Sequence, residues 1–461
     1  MMRWITRIAV VGITVGFSAP AGASAQQGSS DPLTRLSLAQ ATQLAAEAAG
    51  PRAARARMNA AGLRRDATSA RGLPTLGLEA GAVGSNDPVA VFGTRLRQQR
   101  FSQADFALDA LNQPDVIGDL SGGAGASWTL FDQGFRREVS AAEADFESAV
   151  AMRQRTEEGA VLQVRLLYVE ALRAEATFQA TEAGLQAATA LMSQVESRIE
   201  QGVAIEADRL RVEADRAALQ AAQAGASAER ESARERLMAL LGLPSDPTIE
   251  LTDGLAEIRN GLSSEVGALV AYDATDRADI QAARASLSAA RARIDAVSAQ
   301  RLPVVEAFAQ LGVHSWSGNT GTAWTGGVRL SLPVFTGGAI RLQTESAAAM
   351  GRAEAIELDQ RIRDASAEVR EAHLRHQAAE AAYSASAAGV AAASEAARLL
   401  ASRFREGLTT LSEVLLTEAA LVNARRDHVN RESAVAATRA YLLFVTGNTA
   451  ASNTNTSRND R

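Results

Sequence analysis

The sequence predicts a mainly helical, internally duplicated fold that carries a small β-barrel portion for a membrane. Three observations lead there. The 461-residue chain is dominated by Ala, with Arg, Glu and Gln behind it, and only 4% of it is aromatic. That composition suits long helices packed through small side chains rather than one large core. Its two halves align with each other, and within each half the hydrophobic period changes from helix to strand and back.

The composition also excludes function classes. All 47 basic residues are Arg, so mechanisms that need a Lys, such as Walker-type phosphate loops and Schiff-base chemistry, are out. With no Cys there are no disulfides, thiolate metal sites or lipid-anchored N-terminal Cys. A net charge of −6 argues against nucleic-acid binding. No Ser-His-Asp, HExxH, GxGxxG or paired-carboxylate arrangement stands out. The sequence points to no enzyme, cofactor or metal.

Residues 1–25 read as a signal peptide. Arg3 and Arg7 form the basic end, Ile8 to Phe17 the apolar run, and Ala23-Ser24-Ala25 the cleavage site. That run is well short of the roughly 20 residues needed to span a bilayer. The first repeat, 26–241, starts with Ala- and Arg-rich helix ending near Leu73-Pro74, because proline disfavours helix in the residue before it. Strand character follows at Leu76 to Val83 and Ala124 to Phe131, with a long loop at about 86–118 between them. After Gly134 the pattern is helical for about 65 residues, ~100 Å at 1.5 Å per residue. Leu185, Ala188, Met192, Val195 and Ile199 form its coiled-coil seam. Gly202 breaks the helix four residues after Arg198, which predicts the tip of a helical hairpin.

Residues 242–276 read as a linker with a little structure, including turn-like Asp246-Pro247 and strand-like Thr248 to Leu251. The second repeat, 277–447, repeats the order: helix to Leu302-Pro303, strands at Val304 to Val313 and Thr322 to Leu332, then a long helix after Gly338. Its seam runs through Ala393, Ala397, Leu400 and Phe404, and its tip is Arg403 to Gly407. The offset between repeats is 229 at the Leu-Pro pairs and about 205 afterwards, so the loop at 86–118 is an insertion of the first half. The tail, 448–461, is polar and reads as disordered.

Four strands cannot close a barrel, and open edges are not tolerated in lipid. Two chains would give eight strands, a barrel filled by its own side chains. Three give twelve, the smallest multiple with a water-filled lumen. The helices continue from the strands and should form a tube beneath them.

In this order and doubling the chain resembles the TolC-type outer-membrane factors. The likeness covers essentially the whole mature chain. It rests on the LSLAQAT opening at Leu36, the two Leu-Pro helix ends, the Phe-x-x-Gly starts at Phe131 and Phe335, and the two Arg-x-x-x-Gly tips. Gly50-Pro51 departs from the family's usual Asn-Pro. The resemblance implies a homotrimer with a 12-strand outer-membrane barrel and a periplasmic α-barrel tunnel. It also implies a duct for a tripartite efflux pump or type I secretion system, with a periplasmic adaptor (membrane fusion) protein and an inner-membrane RND or ABC-type transporter as partners. By match to the motif, Arg198, Gly202, Arg403 and Gly407 contact the adaptor. Glu413 then lines the closed periplasmic entrance, with Arg403 and Arg405 as partners able to hold the hairpin shut. Leu416 stands where a second acid can occur.

His373 and His376 read as a solvated helix surface, Glu206 and Asp208 as ordinary helix charges, and His314 with Trp316 as aromatics at the membrane interface. A periplasmic coiled-coil adaptor or a structural envelope protein is the alternative function. The duplication and the lack of a β-rich half count against the adaptor, and heat-stable trimers in detergent-extracted outer membranes would separate a duct from both. The cargo leaves no mark in the sequence.

Overall fold

A computed structural model describes residues 35–244, 249–267 and 276–447. The segment expected to be a signal peptide, the polar tail and parts of the 242–276 linker, Asp246-Pro247 among them, lie outside the described residues.

The first repeat runs β1 (Arg35–Leu36), α1 (Leu38–Ala45), α2 (Ala49–Ala70), β2 (Thr75–Ser85), α3 (Pro88–Arg97), a 3-10 turn at Gln103–Phe106, α4 (Leu108–Asn112), β3 (Ile117–Phe131), α5 (Gln133–Glu200) and α6 (Glu206–Leu241). Ser37 and Gln40 close a capping box on α1. Pro51 falls in the first turn of α2, where its missing N–H leaves no helical bond unmade. Gly50-Pro51 therefore lies within the first turn of a helix, although no side chain caps its start. Then come β4 (Glu250–Leu251) and α7 (Leu255–Gly267). The second repeat is α8 (Ala278–Ala299), β5 (Val304–Trp316), β6 (Asn319–Ser331), α9 (Ala339–Arg405) and α10 (Leu411–Val445).

The four expected strands form one antiparallel sheet in the order β2-β3-β5-β6. Two differences from expectation stand out. β3 begins at Ile117 rather than Ala124, because the Gly-rich stretch before Ala124 still pairs with β2 as far as Ser85–Ile117. The insertion is not a loose loop but carries α3, the 3-10 turn and α4. Asp87 caps α3, accepting from the Ala90 N–H at 2.8 Å, with Pro88 behind it.

α5 and α9 run 68 and 67 residues, each ~100 Å long. Among the described residues no helix is long and apolar enough to cross a membrane. The largest core lies midway along α5, where the linker folds around the helices. There β1 pairs in parallel with β4, and Leu36, Val164, Tyr168, Leu237, Met238, Ile258 and Leu443 are buried together. The Tyr168 hydroxyl lies 2.9 Å from the Leu36 carbonyl and 2.8 Å from Asp253 Oδ2. Truncating one such core Leu to Ala costs ~2–5 kcal/mol. A second core near the tips joins Met192 and Val195 of the first seam to Phe404, Leu411 and Val414 of the second hairpin.

Candidate functional site

Side chains alternate across a strand, so the register sorts the sheet into two faces. One carries Leu76, Leu78, Ala80 and Ala82 of β2, with Leu120, Ala124, Ala126 and Trp128 of β3 opposite or in line. Across β5 and β6 the same face holds Ala307, Ala309, Leu311 and Val313, then Trp324, Val328 and Leu330. No charged residue lies on it. Leu76 is 85% exposed, Leu78 82% and Trp324 80%, an apolar surface too large and continuous for contact with water. The other face holds Glu79, Asp119, Glu306, Gln310, His314, Thr325 and Arg329. Glu306 and Arg329 pair across it at 3.9 Å, and Thr75 meets Ser127 at 2.8 Å. Apolar outside and polar inside at period two is the pattern of a strand in a membrane barrel. Strands of 11 to 15 residues meet or exceed the ~9–11 needed to cross when tilted.

This arrangement corrects the sequence reading of His314. It does not face lipid: it shares the interior face with Glu306 and Gln310, and its Nδ1 lies 2.7 Å from Asp119 Oδ2. Parity with those two polar residues was the missed signal. Trp128, Trp324 and, beyond the bulge in β3, Phe131 opposite Val305 are aromatics on the apolar face.

At the far end the two tips have the same backbone. Gly202 and Gly407 take φ of 73° and 77°, where a Cβ would be strained. The Val203 N–H donates to the Arg198 carbonyl at 2.9 Å, and the Leu408 N–H to the Arg403 carbonyl at 2.9 Å. This is the six-residue bond of a Schellman cap, so helix closure itself sets the Arg-to-Gly spacing of four. The side chains diverge. Arg198 turns toward the second hairpin, donates to the Phe404 carbonyl and covers the Phe404 ring at 4.5 Å. Arg403 and Arg405 are exposed.

Glu413 is also exposed, and here the expected pairing with Arg403 or Arg405 is corrected. Its carboxylate accepts from the Thr409 hydroxyl and, at 3.1 Å, from the Thr410 N–H. The Thr410 side chain in turn caps α10. These bonds, that from Thr409 foremost, hold the Glu413 carboxyl below the usual range. Arg405 Nε instead donates to its own helix at Ala401. Thr410-Leu-Ser-Glu413 reads as a capping box in sequence, so the signal was there. Asp208 bonds the Ile205 N–H at the first tip, and Glu206 pairs with Arg209, as ordinary helix-start charges do.

Near the middle of the helices His373 bonds Gln377 at 2.9 Å and His376 lies 3.4 Å from Thr438. Among the described residues no group of three His, Asp or Glu is placed to hold a metal.

Comparison with known proteins follows the same lines. The sequence model of the outer membrane efflux protein family matches residues 33–243 and 274–448, which spans both repeats. Nodulation protein T of Rhizobium leguminosarum bv. trifolii is 22% identical over 307 residues, 64% of this chain and 64% of that protein. The chain thus aligns with a little under two thirds of that relative's length. Among solved structures, the outer membrane protein VceC of Vibrio cholerae is 24% identical with a TM-score of 0.70, covering 89% of this chain and 96% of its own. The open-state MtrE outer membrane channel of Neisseria gonorrhoeae is 20% identical with a TM-score of 0.71, covering 89% of each chain. At these identities the likeness is one of fold. The family match across both repeats, with a sheet whose register gives one face to lipid, places the chain in the outer membrane efflux protein family.

Proposed function

We propose that the chain is the outer-membrane exit channel of a tripartite efflux pump, assembled as a homotrimer. The observation that carries this is the sheet: one face apolar, one polar, and two edges, β2 and β6, without partners among the described residues. Three chains give twelve strands and a lumen lined by the Glu306 and Gln310 face, with the long helices forming a periplasmic tunnel below. No enzymatic activity is proposed. The efflux family favours a pump over type I secretion, and the transporter behind the adaptor is then of RND or ABC type.

The hairpin tips are the adaptor's docking points. Support comes from their matched geometry: each left-handed glycine is followed by an exposed apolar side chain, Val203 or Leu408. Arg403 and Gly407 offer the second contact as Arg198 and Gly202 offer the first, although Arg198 also ties the two hairpins together. Glu413, Arg403 and Arg405 stand exposed beside the second tip and form the polar ring of the periplasmic entrance when three copies meet.

Gly202→Val and Gly407→Val test the docking. A β-branched residue at positive φ costs ~1–2 kcal/mol and forces the turn to change. Trimers should still reach the outer membrane, while co-purification of the adaptor falls. Wild-type adaptor recovery and efflux in both variants would contradict the tip assignment.

A further inference from the structure

The insertion at 86–118 belongs to the first repeat alone, and it folds back over the interior face of the sheet at its outer end. The Arg97 carbonyl lies against Gly321 of β6, where a Cβ would collide with it. Gln98, fully buried, donates from Nε2 to the Gly118 carbonyl and to Asp119 Oδ1, both at 2.9 Å. Asp119 Oδ2 holds His314 Nδ1 at 2.7 Å. The segment is thereby fastened across β3, β5 and β6. Ile117, Asp119 and Gly321 on this face are buried, as is Gly118 against the Trp316 ring, while Leu120, on the opposite face, is 56% exposed.

The segment is a built body. Phe101 packs edge-on to Phe92 and Phe106, with centroids 4.8 and 5.2 Å apart, and Arg95 pairs with Asp105. Yet Val89, Leu96, Phe106 and Leu108 on it remain exposed, and so small a unit does not leave that much apolar surface to water without a partner.

We propose that three copies of this cap meet at the axis of the assembled barrel and form an outer gate, each covering the apolar side chains of its neighbours. The proposal rests on the trimeric reading above. Twelve strands ~4.8 Å apart and tilted ~40° close into a ring about 24 Å across, so the wall stands ~12 Å from the axis. A helix with its side chains is ~10–12 Å thick. A single layer of helix laid on the inner wall therefore reaches the centre. The occupant of the exposed patch is a second and third copy of the chain, because the interior wall to which the cap is pinned faces nothing else. Cargo leaving the duct must displace the caps, and the bonds of Asp119 to Gln98 and His314 resist that movement.

The absence of Cys allows a direct test. Gln310→Cys puts one thiol on the interior face, four residues inward of His314 along β5, ~10 Å deeper once the tilt is allowed for. Intact cells carrying this variant are exposed to a polyethylene-glycol maleimide that cannot cross the outer membrane. The comparison chain has residues 86–116 replaced by Asn-Gly. Ser85 and Ile117 already pair, so a two-residue turn joins them with the register unchanged. Labelling should be slow with the cap in place and about tenfold faster or more without it, reflecting the small population of open mouths. Asp119→Ala, which keeps the cap but removes the acceptor shared by Gln98 and His314, should give an intermediate rate. Fast labelling with the cap intact, or equal rates in all three chains as trimers, would overturn the gate. A particle that is not three chains overturns the trimeric reading and the gate with it, and mass rather than labelling identifies that failure.

Discussion

Asp215 on α6 and Glu418 on α10 line a cavity of about 110 Å³ where the two hairpins meet, with Gly184 of α5 beside them. Gly184 is needed for that approach: a Cβ there would stand 2.6 Å from Val422. Burial pushes both carboxyls above the usual range, and for Glu418 the Asp215 charge adds to it while Arg425 opposes. A raised folded-state pKa means that the folded form holds the proton more tightly. This contribution to stability is therefore full below the ordinary carboxylate range and fades as pH rises through the raised values. Asp215→Asn with Glu418→Gln should raise the unfolding temperature by ~1–2 °C at pH 7.5, trimmed by solvent screening, and by less at pH 5. An equal gap at both pH values would contradict this. The acid pair was not legible in sequence, because its members are 203 positions apart and meet only through the packing of two hairpins. The tip glycines were legible, since a helix that ends and restarts within a few residues needs a left-handed position. Glu413 was half legible. Its place after the tip was read correctly, but the local capping box outcompetes a charge partner across the turn.

Strands were found in the sequence because four weak signals fell at matching positions of two repeats. The outer half of β3 escaped because Gly118, Gly122 and Gly123 present no side chains to alternate. The helices of the insertion escaped for a different reason: α3 has ten residues and α4 five, too short for periodicity to declare itself, although Asp87-Pro88 is a helix-start signature. The two faces of the sheet differ in what they tolerate. Leu311→Arg puts a charge on the lipid face and should cost ~2–4 kcal/mol near the bilayer midplane. Its neighbour Gln310→Arg points into the lumen and should be accepted. Outer-membrane levels of the two variants check this. Loss of Gln310→Arg alone would show that the faces are reversed, and equal recovery would show that neither face meets lipid.

At the scale of the whole molecule, the duplication gives two hairpins of nearly equal length, tied near their tips by Arg198 on Phe404 and along their middle by the belt around Tyr168. It does not give a closed barrel. The sheet of one chain ends in two unpaired edges with an apolar face between them, a state that neither water nor lipid accepts. Lumen, tunnel and gates all depend on how many copies remove those edges. Native mass spectrometry of the protein extracted from outer membranes in mild detergent measures that number. A particle of three chains is expected, and a stable, fully folded monomer would contradict the trimeric barrel.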